Sequence, residues 1–538
     1  AHLTARLPFG GPRSGQLELS TDLRGVATRL PAPVAKAAGD ILPLRVTVGE
    51  GGVAKPSDAD ALRLRIDGGE RVGVALRFGR AGKTAAADPL LTRSVEVRIG
   101  PGEMPRADAD GVFVSGAPQE LALAEWSDLI DDIEAVPASA AAAATGGTSL
   151  PFRGIDLRPQ RLSYGRAALQ QAHLMGRPAA DGWSVQFDGA NAQGRIDYSR
   201  AGGGRVQARF SRLYLESLDN TPAESRDDGA DNAGQGPPFD PNQAPTLDLA
   251  CDSLKLGQAD LGHFNLLSTR IAGGQSMDPF QLQGGQLQAN ARGTWLRRNG
   301  SSYGDLSFEL SGSRLGTVLQ ALGYAETMDG QVNRFSGALT WPQDPKGLDL
   351  AQARGSINLA VAKGVLNAVK PGAGRVLGLL NLYALPKRLL TLDFHDVTAK
   401  GLGFDQLSGS FALGDGQART GDLVVDAPAL KMQMSGRIGL AARDYDEKIT
   451  VYPNVTTGVT VGATLIGGPI AGGVALLAQE VFGKPFNALS KFSYHVSGSW
   501  DNPQIKAGEK QELPKPAAGA AQPAAPAPAP PAASPDAG

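Results

Sequence analysis

The sequence predicts a mainly β protein built as an elongated, highly twisted antiparallel β-sheet, with a few short amphipathic helices and a disordered C-terminal tail. Apolar and polar residues alternate along most of the chain to about Lys506, which is the period of a half-buried strand. The 70 Gly and 37 Pro residues are typical of many short strands and turns. A length of 538 residues suggests several domains, but the continuous alternation favours one repetitive sheet.

The clearest strand runs from Leu430 to Leu440. Every second position is apolar except Gly436, and polar residues such as Lys431 lie between them. The same pattern returns on both sides, separated by turn-forming residues, so 401–453 is predicted to be an antiparallel meander. The apolar residues of this meander are Leu430, Met432, Met434, Ile438, Leu440, Leu423, Val425, Phe411, Leu413, Ile449 and Val451.

The apolar face of such a sheet needs a cover. Each exposed Leu, Ile or Met forfeits about 1.5 to 3 kcal/mol of burial free energy, so a second sheet, packed helices or an apolar ligand must lie against the face. Amphipathic strands greatly outnumber helices here, which leaves a facing sheet or a ligand. A dry sandwich and a ligand-filled groove need the same alternation, so periodicity does not choose between them.

The remaining elements follow from changes in this pattern. Between Pro118 and Ala135 the apolar spacing becomes helical, with Trp126 on the apolar stripe. Residues 219–245 are mostly Asp, Asn, Gly and Pro, a composition typical of disorder. The predicted segments are a β segment at 1–116; an amphipathic helix and linker at 117–149; a β segment at 150–310 with a disordered insertion at 219–245; a β region at 311–506 with helices near 314–323, 371–385 and 464–490; and a disordered Pro/Ala-rich tail at 507–538.

The segment from Val455 to Ala478 contains no charged residue. Its length would span a bilayer of about 30 Å, but its many Thr and Gly residues and Pro469 dilute the apolar character. Three interpretations stay open: a transmembrane helix, a cap on the end of the sheet, or an apolar tip that enters a membrane. The predicted membrane-contact residues are Leu465, Ile466, Ile470, Val474, Leu477 and Phe482.

Composition and motifs argue against several other functions. A net charge of −2 carries no nucleic-acid signature, and the single Cys251, which excludes an intrachain disulfide, is predicted to be a small buried hydrophobe. The five His residues are isolated, with no spacing typical of a metal site, and His495 is predicted to face solvent. Because nucleophile-elbow and phosphate-loop motifs are also missing, we expect no enzyme, cofactor or metal site.

Several motifs carry a family resemblance. They are Trp341-Pro342, Gly374 to Leu380, Ala384 to Arg388, Val451-Tyr452-Pro453 and Gly498 to Pro503. Together they resemble the C-terminal portion of the YhdP family, within the AsmA-like, bridge-like lipid transfer proteins. The match is dense from about Leu315 to Ile505 and thinner before it.

This resemblance implies a fold and a function. The sheet would form a taco-like hydrophobic groove in the periplasm of a Gram-negative bacterium, anchored in the inner membrane by an N-terminal helix absent from this chain. Its partners would be phospholipid, the inner and outer membranes, and membrane proteins at either end. The function would be carriage of phospholipid acyl chains between the membranes, in support of outer-membrane integrity. The alternative is a structural or adhesive envelope protein, a β-sandwich or β-solenoid with a dry core.

With the groove interpretation, the predicted lipid-binding residues are the apolar residues of the meander together with those of the strands before it. The added residues are Ile357, Leu359, Val361, Leu306, Phe308 and Leu310.

Overall fold

The computed structural model describes residues 2–6, 16–28, 30–50, 62–80, 90–126, 150–217, 240–298, 301–322, 328–341, 351–367, 401–428, 430–453, 490–500, 502–508 and 511–512. These residues are mainly β, which confirms the predicted fold class. The strands are β1 His2–Arg6, β2 Gln16–Thr21, β3 Leu44–Glu50, β4 Leu62–Gly68, β5 Val72–Arg80, β6 Leu90–Ile99, β7 Gly111–Gly116, β8 Glu120–Ala122, β9 Phe152–Leu157, β10 Arg161–Tyr164, β11 Ala167–Gln170, β12 Leu174–Ala179, β13 Gly182–Asp188, β14 Ala192–Ser199, β15 Arg205–Leu215, β16 Thr246–Leu256, β17 Ala259–Ile271, β18 Gly274–Gln283, β19 Leu287–Arg298, β20 Ser301–Gly312, β21 Met328–Trp341, β22 Arg354–Asn367, β23 Gly401–Gly414, β24 Gln417–Asp426, β25 Leu430–Gly439, β26 Asp444–Pro453, β27 Ser490–Ser499, β28 Pro503–Ala507 and β29 Gln511–Glu512.

One sheet of 26 strands contains almost all of these elements. Strands pair in sequence from β1 to β7, continue through β9 and β12, and then run in order to β27, which pairs with both β28 and β29. The remaining strands β8, β10 and β11 form a separate three-stranded sheet. At about 4.8 Å per strand, the large sheet covers roughly 120 Å measured across its strands.

The sheet is antiparallel, as predicted, except at three junctions. The pairs β6 with β7, β7 with β9, and β15 with β16 are parallel. A parallel pair cannot be joined by a tight turn, since the chain must first return to the strand's starting end. The connections 100–110, 117–151 and 216–245 make these returns, and the polar insertion predicted at 219–245 falls within the last of them.

The C-terminal meander agrees with the sequence pattern. Strands β23 to β26 pair antiparallel in order. The turn between β23 and β24 is formed by Asp415 and Gly416, both with positive φ (51° and 72°), as a tight hairpin turn requires. The strand predicted from Leu430 to Leu440 is β25, which ends one residue earlier, at Gly439.

Helices contribute little to the described chain. Helix α1 spans Leu315–Ala321, inside the range 314–323 where a helix was predicted, and a single 3₁₀ turn spans Ala201–Gly203. The helix predicted from Pro118 begins later: Glu120–Ala122 form β8, paired in parallel with β10, and residues 123–126 are helical. Pairing of Leu121 opposite Leu162 outweighs the local helical spacing.

The predicted helices at 371–385 and 464–490, nearly all of the insertion at 219–245 and the tail beyond residue 512 lie outside the described residues. Among the residues that the structure does describe, no helix is both long and apolar enough to cross a bilayer.

Candidate functional site

The strand registers place apolar residues opposite one another across the sheet. Starting at Leu19 in β2, each residue of this series faces the next one directly on the neighbouring strand, as far as Phe411 in β23. We call this series the central row and the side of the sheet that carries it the apolar face. The central row consists of Leu19, Val46, Ile66, Val74, Val97, Val114, Ile155, Gly176, Val185, Ile196, Ala208, Leu249, Leu266, Phe280, Ala291, Phe308, Gly337, Ile357 and Phe411.

The row continues past a register shift between β23 and β24. Beyond the shift, Val425 faces Met432, which faces Val451, and Val451 in turn faces Phe492. Side chains alternate between the two faces of a strand, so an unbroken row of this kind requires every register in the series to be in phase. The described sheet therefore has one apolar face from β2 to β27.

The predicted lipid-binding residues come together on this face. All of them except Leu306 belong to, or pack against, one buried cluster, which we call the C-terminal cluster. Leu306 lies on the same face, opposite Leu339, and is half-buried. The six predicted membrane-contact residues, from Leu465 to Phe482, lie outside the described residues.

The C-terminal cluster is closed to solvent. Val361, Leu407 and Met432 have an exposed fraction of 0%, and most of the other predicted residues are buried as well. On the other face of the same strands, Lys431 and Gln433 are exposed. This is the ordinary arrangement of an amphipathic sheet, with its apolar side buried and its polar side wet.

The N-terminal strands β2 and β6 depart from this arrangement. Leu17 and Leu19 in β2 are 43% and 37% exposed. Glu18, which lies between them on the other face, is half-buried and forms an ion pair with Arg45. On β6, Val95 and Val97 of the apolar face are partly exposed, while Ser94 of the polar face is fully buried. The site prediction omitted these N-terminal residues, although their alternation matches that of β25.

The connection between β6 and β7 explains the buried polar face. Ala107 in that connection donates its backbone N–H to Glu96 Oε2 at 2.9 Å and accepts a hydrogen bond from Arg77 Nε at 2.9 Å. Both partners point away from the central row, and Arg98, also on the polar face, donates to the carbonyl of Gly69 at 2.7 Å. The connection therefore covers part of the polar face here.

One acidic side chain interrupts the apolar face. Glu447 lies between Tyr445 and Ile449 on β26, opposite Gly436 and Val496. It is 6% exposed, and its Oε1 atom has no hydrogen-bond partner among the described residues. Burial raises the pKa of this carboxyl group from 4.5 to about 7, because a low-dielectric environment disfavours the charged form.

The remaining chemistry of the described residues is structural. Cys251 is buried in a second cluster with Phe210, which agrees with its predicted role. His495 is exposed, as predicted, and lies 3.5 Å from Asp446. Across the described ranges, no group of three or more His, Cys, Asp or Glu residues is arranged to hold a metal ion.

Comparison with known proteins gives the family. The family described as YhdP protein matches residues 1–505. The chain is also 25% identical over 509 residues to a protein of Escherichia coli (strain K12) described as "Intermembrane phospholipid transporter YhdP". That alignment covers 93% of this chain and 38% of the relative, so the chain spans well under half of the relative's length. No solved structure matches. The chain therefore belongs to the YhdP protein family.

Proposed function

We propose that this chain holds phospholipid acyl chains against its apolar face and carries them between the inner and outer membranes of a Gram-negative bacterium. In this proposal the sheet lies in the periplasm, is tethered to the inner membrane by a helix N-terminal to this chain, and supports outer-membrane integrity. The printed description of the Escherichia coli relative as an intermembrane phospholipid transporter supports the choice of ligand. Such carriage needs no catalytic step.

The central row is the observation that carries the proposal. It crosses the sheet from Leu19 to Phe411 with only apolar residues and Gly. The roughly 120 Å of the sheet is about four times the hydrocarbon thickness of a bilayer, about 30 Å. A surface of that length exceeds what a pocket for one lipid requires, so it suits passage from one end to the other.

The exposed apolar side chains of the N-terminal strands support the binding of an apolar ligand that would bury them. Burying apolar surface such as that of Leu17 and Leu19 is favourable by about 25 cal/mol per Å², yet the connection at 100–110 covers the opposite face. Acyl chains would supply this burial without directed hydrogen bonds. We therefore expect weak discrimination between acyl chains, because apolar area alone recognises them.

A photo-crosslinking experiment tests the proposal. A benzophenone amino acid is placed at Leu19 and, as a matched control on the same strand but the opposite face, at Glu18. After irradiation in cells, we expect phospholipid adducts in the mass spectrum of the Leu19 variant and none in that of the Glu18 variant. Equal labelling at the two positions, or labelling at neither, would contradict the proposal.

A dry structural core is the second candidate, and the C-terminal cluster favours it locally. Met432 and Val361 are fully buried by the protein itself, so the chain alone covers them in the β21–β27 portion. In that case the predicted lipid-binding residues of the meander would pack against protein. If the whole sheet has a dry core, a crosslinker at Met432 and one at Leu19 would both capture no lipid.

A further inference from the structure

The strands from β12 to β21 end at two long edges of the sheet, and these two edges differ. At one of them β13, β15, β16 and β20 end; we call it the covered edge. At the other β14, β17, β19 and β21 end; we call it the aromatic edge. The pairings fix this assignment, because every pair in this part is antiparallel except β15 with β16.

Protein closes the apolar face along the covered edge. Leu162 and Leu169 of the small sheet are buried in one cluster with Leu174 and Phe210, which lie two residues from the central row on β12 and β15. Farther along the same edge, Val318 of helix α1 is buried with the last residue of β16 and the first residue of β19. A polar group could leave the apolar face on this side only by displacing buried apolar side chains.

The aromatic edge carries large side chains that have one polar atom each. Trp183 and Tyr198 face each other on β13 and β14, and their ring centroids are 5.6 Å apart. Trp295 and Trp341 lie on either side of Gly304 in β20. Each of the four aromatic residues is an even number of positions from the central row on its own strand, so all four belong to the apolar face. We call them the edge aromatics.

The apolar face beside the edge aromatics is accessible. Trp183 is 39% exposed, and the central-row residues Val185, Ile196 and Leu266 are only half-buried. The C-terminal cluster is closed by comparison, with Met432 fully buried. The stretch from β13 to β17 therefore retains apolar area that a ligand can contact.

Tryptophan and tyrosine suit a boundary between apolar and polar surroundings. Their rings bury a large apolar area, whereas the indole N–H or the phenol O–H needs a hydrogen-bond partner. For this reason the two residues are enriched at the level of the headgroups in membrane proteins. A phospholipid has the same boundary at its glycerol esters, where the acyl chains meet the polar headgroup.

We propose that phospholipids lie across the face from β13 to β21 in one orientation, with the glycerol esters and headgroup at the aromatic edge and the acyl chain ends toward the covered edge. This inference rests on the proposed function, because it needs acyl chains on the apolar face. It adds a direction to a surface that otherwise recognises only apolar area. Successive lipids along the sheet then share one orientation, and all their headgroups project beyond the same edge.

Two photoactivatable phosphatidylethanolamines test this orientation on the wild-type chain. One carries a diazirine on the headgroup nitrogen, and the other carries it near the methyl end of an acyl chain. Each lipid is loaded from vesicles and irradiated, and the labelled peptides are identified by mass spectrometry. We expect the headgroup probe to label residues 198–204, at the aromatic edge, about tenfold more than residues 161–170 of the small sheet. The acyl probe should favour the segment around Phe210 over residues 198–204.

A pair of tryptophan variants tests the role of the edge aromatics. Trp183→Leu keeps an apolar side chain but removes the indole N–H, so headgroup labelling of residues 198–204 should fall about threefold. Labelling by the acyl probe should stay unchanged. Trp126→Leu is the matched control near the covered edge, where the indole N–H of Trp126 already donates to the carbonyl of Ala32 at 3.1 Å. This variant should keep the wild-type labelling by both probes.

The outcomes separate the two proposals. Headgroup labelling that is equal at the two edges, or stronger on the small sheet, overturns the orientation and leaves acyl-chain binding intact. Unchanged headgroup labelling in Trp183→Leu overturns the role of the edge aromatics. Failure of both probes to label the wild-type chain overturns the proposed function and this inference with it. The wild-type labelling decides the orientation even if a variant does not fold, and circular dichroism identifies that case.

Discussion

The N-terminal strands β2 to β6 and the C-terminal strands β22 to β26 carry the same alternation but differ in which side chains they bury. In the C-terminal strands, Leu407 and Met432 are fully buried and Lys431 is exposed. In the N-terminal strands, Leu17 and Leu19 are among the exposed large apolar side chains, and Ser94 and Arg98 of the polar face are buried.

This difference shows that two properties are independent: which side chains share a face of the sheet, and whether that face is covered. Alternation determines which side chains share a face, because successive side chains point to opposite sides of a strand. What covers each face depends on segments outside the strands, such as the connection at 100–110. The C-terminal cluster is covered already, whereas the N-terminal strands expose apolar area that a ligand can bury.

The largest contrast is expected from a charge placed on the apolar face at each end. Met432→Arg should lower the free energy of unfolding by about 3 to 5 kcal/mol, because the charge is buried without a partner. Leu19→Arg should change it by only about 0.5 kcal/mol, since solvent already reaches that side chain. Urea unfolding followed by circular dichroism measures both, with Lys431→Glu as the control. Equal losses at the two ends would contradict the difference in cover.

The next largest contrast in unfolding free energy is expected from shortening one leucine in each region. Leu407→Ala should cost about 2 to 5 kcal/mol of unfolding free energy, the usual range for a fully buried leucine. Leu17→Ala, at a side chain that is 43% exposed, should cost about 1 kcal/mol or less because little packing is lost. The two midpoints in urea provide the measurement, and similar shifts would show that β2 is buried in solution.

The pH dependence of stability tests the buried carboxyl group of the C-terminal strands. In the unfolded chain Glu447 titrates near 4.5, and in the folded chain burial moves its pKa to about 7. Between these values the folded state keeps a proton that the unfolded state has lost. This contribution is fully present below pH 4.5 and decreases by about 3 kcal/mol as the pH rises to 7.

Unfolding of the wild-type chain and of Glu447→Gln at several pH values from 4.5 to 8 measures the contribution of Glu447 to the free energy of unfolding. The difference between the two proteins should grow over that window and then stay constant, with the variant more stable at pH 8. A difference that does not change with pH would contradict the buried, unpaired position of the carboxyl group.

The smallest effects are expected for two ion pairs, one in each region, that are similarly exposed. The pairs Arg437 with Asp444 and Arg45 with Glu18 are both partly exposed. Replacing either arginine by alanine should cost about 1 kcal/mol or less, because exposed ion pairs contribute little. Thermal midpoints of Arg437→Ala and Arg45→Ala provide the check. A large loss at one end only would mean that the ion pair at that end is buried in solution.

Much of the fold could be predicted from the sequence, because hairpins and amphipathic strands are local features. The meander from β23 to β26 and the shared face of Met432 and Val451 follow from alternation and turn residues. The parallel pairing of β15 with β16 could not be predicted, since no local pattern records which neighbour a strand chooses after a long connection. Burial of Glu447 was missed as well, although its phase with Tyr445 and Ile449 was visible in the sequence.

Because strands that are consecutive in sequence pair with each other, the sheet can be lengthened or shortened by whole hairpins. In runs such as β16 to β20 and β23 to β26, each strand follows its partner through a short connection, so inserting or removing two successive strands there preserves the direction of every later strand. Each such hairpin changes the width of the sheet by about 10 Å. Removing a single strand would reverse the direction of all the strands after it. The width of the sheet can therefore change in steps of one hairpin, and the remaining strands need no change.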